Sequence, residues 1–529
     1  MKSDPLDAIL KKLADNHSNT GISRAIHDQA SSDMLRRPAL GKQLIERMCA
    51  TAADAPEMEL LMEVLFMALD AARMASESRL RRGDAFLAAV AEAISLAAGE
   101  GCLSPGHKLL LARVWTQCGL DAPPGLELSE ADEMETPGME NPPTDIAAVE
   151  SMIDNMFSDL IEASGGDALE LHSSFEEILA TMPAEIRTFI VSRFTERPES
   201  ICLKLATFWL LDPAAPIRLA AASALSKRTA AGGVSTKMAT KLVMLRSWMP
   251  DDDARKVVDH VLKVAMRSGL ATTPAVKPWP IRSIVASLPD GGGAQSIVIA
   301  LQSGGSRKSA LVLIKSGHGI KDAFTVHCHS AAEQNALSQR IVAETGSGGV
   351  TRTWLERNLS MALADGLAAE IPAAPGLIEV AELCGFSDLR PEPYTPEELI
   401  AALPVAKRVG SLSAQERREL IDDSEDWHER HGVVGSWFEE SDDVHDIMQN
   451  ARSMPPRIKA LWKWIESRRN HWTMLVARSA DVLAASEHPD AESFAATAMA
   501  LREGKKLKKI PLMENILHET IGAWRLGNR

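Results

Sequence analysis

Only one stretch of this chain leaves the helical period. Over most of its length apolar residues recur three or four positions apart, as the buried face of an α-helix requires. Between residues 296 and 328 they form β-rich runs instead: SIVIALQ (296–302), SALVLIK (309–315) and AFTVHC (323–328), joined by short Gly-containing connections. Such a chain is expected to be mainly α, with a small antiparallel β meander confined to an α+β module in its middle. Composition agrees. Aromatics reach only 4%, with Tyr394 the single tyrosine, and small and flexible apolar residues favour packed helices over a β-sandwich. At 529 residues the chain exceeds one ordinary core, so it is read as a multidomain helical protein.

Five segments follow from the punctuation. Residues 1–120 read as a helical N-terminal domain of about six helices, with Ser104-Pro105 supplying a cap and a first-turn proline. Residues 121–145 are rich in Pro, Gly and acid. They hold too little apolar surface to offset their ordering entropy, so a linker is expected there. Residues 146–270 read as successive short helices. Residues 271–410 hold the meander and further helices, including capping boxes at Ser330–Glu333 and Thr395–Glu398. Residues 411–529 are helical again and Trp-rich, starting at the box Ser413–Glu416.

Within the third segment, Leu211-Asp-Pro-Ala-Ala-Pro-Ile-Arg-Leu-Ala-Ala-Ala-Ser-Ala-Leu225 resembles the second-helix signature of HEAT repeats, over about residues 200–268. Asp212, the Pro216 turn, Ile217-Arg218 and the small-residue run Ala220–Ala224 carry the likeness. It implies a HEAT-like central array in which small residues let helices approach closely. It also implies that the arginine bridges to an acidic turn of a neighbouring repeat. A weaker echo follows at Trp248–Val258, with Arg255 in the arginine's place.

Charge and cysteine usage narrow the function classes. A formal net charge of −15 argues against the whole chain coating nucleic acid or an anionic membrane. Its N-terminus lacks a signal-peptide core, and the apolar run Leu60–Leu69 is too short to span a bilayer. The six cysteines are scattered with no CxxC pair, as in a cytoplasmic protein with reduced thiols.

No constellation for chemistry is complete. Gly304-Gly305-Ser306-Arg307-Lys308-Ser309 lacks the second glycine of a phosphate loop and is followed by a strand, so a hairpin connection is expected. His327 and His329 should share one strand face, with Cys328 on the other. No GxSxG elbow is present. The acidic segment 422–431 places His428 and His431 at i, i+3 beside Asp426. A divalent metal is conceivable on these three, and with it a metal-assisted hydrolase as the alternative function. Charge is split in the last segment: twelve acids face three arginines over 416–446, and fourteen Lys/Arg face eight acids from 452 onward. The basic C-terminal region, with Lys505, Lys506, Lys508 and Lys509 among tryptophans, suits first an intramolecular contact with the acidic stretch next to it, then a protein partner, then nucleic acid. In a helix expected over about 457–476, Trp462 and Trp472 fall on the core face. Trp464 lies on its flank beside Arg468 and His471, the pattern of a partner-anchoring aromatic. The leading expectation is a cytoplasmic interaction or scaffold protein, with a protein partner and no membrane.

Overall fold

The computed structural model describes residues 5–14, 20–77, 80–127, 146–180, 182–231, 235–267, 277–345, 348–450 and 453–527. The described chain is mainly helical, with a small five-stranded antiparallel sheet in its middle. None of its helices is long and apolar enough to cross a membrane. It forms two compact units, Met1–Ile190 and Val191–Arg529.

In the N-terminal unit six helices end at Gln117, the last two being Arg81–Gly99 and Pro105–Gln117. The Ser104 hydroxyl accepts from the His107 amide, and the His107 ring accepts in turn from the Ser104 amide. Leu61, Val64, Leu65, Ala68 and Leu69, all fully buried, form the inner face of the Pro56–Glu77 helix. Gly83 is where the following helix crosses it closely, since a Cβ there would lie 2.4 Å from the Ala72 carbonyl oxygen. The expected linker does not begin at 121. Leu126 is fully buried in this core, Ser95 donates to the Pro124 carbonyl, and the Lys108 ammonium donates to that of Glu127. One leucine anchor and two captured carbonyls suffice to hold these residues; residues 128–145 lie outside the described ones.

The unit boundary also falls inside the segment expected to be one array. Ile146–Ala163 and Ala168–Leu179 belong to the N-terminal unit. Phe157 meets Phe175 between them, and Glu177 reaches Arg113 and Gln117 on the Pro105–Gln117 helix. Helices Ser200–Trp209, Ala215–Ala230, Thr236–Trp248 and Asp253–Arg267 belong to the other unit. There Arg218, buried, donates to the Asp212 and Pro213 carbonyls and pairs with Asp252 at 2.7 Å. Asp252 sits in the turn before the next helix but one, so a single guanidinium ties two turns on either side of an intervening helix pair. Ala221 and Ala224 are fully buried on the helix that packs against Asp253–Arg267. Enlarging either to leucine should overpack this contact and cost about 1–3 kcal/mol, read as a lowered denaturation midpoint. An unchanged midpoint for both variants would remove the close-approach argument.

The sheet has the order β4-β3-β2-β1-β5, with β1 Ile281–Ala286, β2 Ala294–Ser303, β3 Ser306–Lys315, β4 Gly319–Cys328 and β5 Gly348–Gly349. Ile297 to Leu301 of β2 are all buried, so both faces of the central strand are covered. Gly304 and Gly305 make the two-residue turn between β2 and β3, with Ser303 paired to Ser306 and Gly304 at a φ of 58°. That geometry is a hairpin with no helix N-terminus for a phosphate.

Candidate functional site

The acidic segment is anchored by Trp427. Its ring stacks on Phe494 at 3.4 Å between centroids, and its indole N–H donates to Ser493. The anchor breaks the segment into Ala414–Asp422, a 3₁₀ turn over Asp423–Asp426, and the single turn Trp427–Arg430. The three residues singled out from spacing therefore separate. Asp426 and His428 are exposed, with Nδ1 of His428 3.1 Å from the Glu425 carbonyl oxygen. His431 instead is 2% exposed and extended (φ −126°), which takes it off the helix that would have aligned it with His428.

Its partners come from the loop between helices Arg469–Ala485 and Ala491–Arg502. Nε2 of His431 lies 2.8 Å from Oδ2 of Asp490, and its ring is 5.3 Å from that of His488. Asp490 also accepts from Arg430 at 3.1 Å, while Arg430 holds Asp423 at 2.7 Å. Nδ1 of His488 accepts from the Asp490 amide at 3.2 Å. Nδ1 of His431 is buried without a hydrogen-bond partner. One donor atom from each of His431, His488 and Asp490 can be chosen so that all three lie within 4.8 Å of one another. Burial pushes the His431 imidazole below its ordinary pKa, and the Asp490 carboxylate opposes that shift. His488 and Asp490 were not singled out in the sequence. Their only local signal is the triplet His488-Pro489-Asp490 ahead of a helix.

The expected helix over 457–476 is two helices, Met454–Ser467 and Arg469–Ala485, broken at Arg468. The Ser467 hydroxyl donates to the Trp464 carbonyl, and Arg469 pairs with Glu466 and also donates to the Leu501 and Lys505 carbonyls, so the polar run 466–470 turns the chain. The Arg468 amide still donates to the Trp464 carbonyl at 3.2 Å, so these two keep their i, i+4 relation, while His471 belongs to the second helix. Trp464 is half-buried, Arg468 pairs with Glu439, and His471 meets Trp472 edge-on. Trp472 is fully buried as expected and donates to Glu439. Trp462 is only partly buried, with the Lys508 ammonium 5.6 Å over its ring. In the basic stretch Leu507 is buried while Lys506, Lys508 and Lys509 are exposed. His327 and His329 are exposed on one side with rings 5.4 Å apart, and Cys328 is buried on the other.

The N-terminal unit carries a different kind of site. Between the Pro56–Glu77 and Pro105–Gln117 helices runs an open trough of about 570 Å³. Met62, Phe66 and Leu110 line its apolar floor, and Phe66 is 40% exposed although it holds helical spacing with the core leucines. Asp54, Glu59 and Glu63 stand along the trough, with Arg113 the one Lys or Arg among its described lining residues and His27 3.6 Å from Glu63.

Three domain models of one family match the chain in order. They are the N-terminal domain of the uncharacterised protein y4lR over residues 3–123, the Y4lR second domain over 183–269, and the Y4lR C-terminal helical domain over 397–525. The chain is Y4lR-like. A protein described as uncharacterised protein y4lR, from Sinorhizobium fredii, is 29% identical over 504 residues, 94% of each chain. No solved structure matches. The trough lies wholly within the Y4lR N-terminal match, and His431, His488 and Asp490 lie within the Y4lR C-terminal match.

Proposed function

We propose that the chain is a cytoplasmic helical interaction protein whose N-terminal unit holds a cationic amphipathic helix of a partner protein. The observation that carries this reading is the trough between the Pro56–Glu77 and Pro105–Gln117 helices. Two packed helices leave a furrow of the width that a third helix fills, and helix-in-groove recognition rests on an apolar floor read at i, i+3 and i+4. Phe66 supplies a large ring half in solvent, and Met62 a side chain able to adapt to what lies on it. Three carboxylates against one arginine, itself engaged by Glu177, select a basic partner over an acidic one. Free thiols at all six cysteines accord with a reducing compartment. The tie from Arg218 to Asp252 favours a HEAT-like pairing of the helices over 200–267, which would extend the scaffold.

The test uses the full chain and two labelled helical peptides with the same leucine face, one flanked by lysines and one by glutamates. Fluorescence anisotropy should show saturable binding of the basic peptide only, weakened by salt. Phe66→Ser should reduce that affinity at least about tenfold, equivalent to about 1.4 kcal/mol, with little change in melting. Equal binding of both peptides, no binding of either, or an unaltered affinity in Phe66→Ser would each overturn the reading. Retention of a duplex oligonucleotide that competes with the basic peptide would move the assignment to nucleic acid.

A further inference from the structure

We propose that His431, His488 and Asp490 form a binding site for one divalent first-row metal ion, with zinc the best match. The donor set is two imidazoles and one carboxylate, the borderline nitrogen and oxygen ligands that zinc takes in four-coordinate sites, with a fourth position left for water. In a tetrahedral zinc site ligand atoms stand roughly 3.3 Å apart, from bond lengths of about 2.0–2.1 Å. Three donors already within 4.8 Å of one another need to move little to meet that spacing. The contact of 2.8 Å between His431 and Asp490 has only to open by a few tenths of an ångström.

His431 is 2% exposed, and the nitrogen it turns to Asp490 is Nε2, so the ion would enter where that buried contact now stands. Arg430 sits closer to Asp423 than to Asp490, so Asp490 can give up that contact without stranding a charge. His488 is the half-buried member and stands on the accessible side of the cluster. Glu487, at a φ of 56°, turns the loop immediately before it. A bound ion would clip this loop to the segment that ends the Trp427–Arg430 turn.

The test starts from full-length protein stripped with chelator and titrated with zinc, or with cobalt as a spectroscopic stand-in. One equivalent should bind per chain, raise the melting temperature, and with cobalt give visible bands of low-coordinate nitrogen and oxygen ligation. His488→Gln should lose affinity at least about tenfold while melting like wild type without metal. The double change His327→Ala with His329→Ala removes the exposed pair on β4 and should leave binding unaltered. Zinc that fails to bind wild type beyond a weak, multi-site background would overturn the proposal. So would binding that survives in both His488→Gln and Asp490→Asn, or that disappears with the His327 and His329 pair.

Discussion

Changing Arg357 to methionine should destabilise the C-terminal unit by about 3–5 kcal/mol, the cost of leaving a buried charge without its partner. Asp481 is 1% exposed, and Arg357 is the only guanidinium paired with it among the described residues. Its remaining partner is the Asn358 side chain, which donates at 3.2 Å and brings no charge. The variant should show a lower denaturation midpoint by tryptophan fluorescence, which this unit reports well through Trp427, Trp437 and Trp472, all buried. Adding Asp481→Asn keeps the contact to Asn358 and removes the stranded charge. More than half of the loss should return, and the two changes should be strongly non-additive. Additive losses would mean that water screens this pair despite its burial.

The second large effect is a pH response in the N-terminal unit. His172 is buried on the Ala168–Leu179 helix, and desolvation lowers its pKa from 6.5 to about 4. Because the folded form prefers the neutral ring, its contribution is fully present above pH 6.5 and is lost as pH falls toward 4. At about 1.36 kcal/mol per pKa unit, the loss approaches about 3 kcal/mol. Melting of this unit should therefore steepen its decline below pH 6.5, and His172→Gln should flatten the profile in that window. Parallel profiles for wild type and variant would show that other groups set the acid limit.

What the sequence disclosed was local. Thr395 with Glu398 and Ser413 with Glu416 form the reciprocal caps their spacing implies, because a capping box is decided within four residues. The three β runs became β2, β3 and β4, each long enough to declare its period. Ile281–Ala286 was not read as a strand. It is short, follows three residues that include two prolines, and has the exposed pair Arg282-Ser283 near its start. The break at Arg468 was hidden because Ser467 and Arg469 act through distant or carbonyl partners that no periodicity records. The same limit hid the cluster at His431. The residue stood out, but its partners lie about 59 positions away and became neighbours only through the stacking of Trp427 on Phe494.

The stretch that matches the Y4lR C-terminal helical domain, residues 397–525, does not end where its cohesion ends. The Trp437 indole donates to the Pro289 carbonyl, and a Cβ on Gly291 would lie 2.1 Å from the Ser436 carbonyl oxygen. Arg478 binds Asp365 and Ser316, and Asp481 binds Arg357 and Asn358. A gene fragment cut at residue 397 would thus leave a buried arginine and a buried aspartate each without its countercharge, and an indole without its acceptor. The last matched module is mechanically a joint holding of several segments, and because the Trp248 indole donates to the Leu389 carbonyl and Lys241 pairs with Glu382, expression trials are better started at the unit boundary near residue 191.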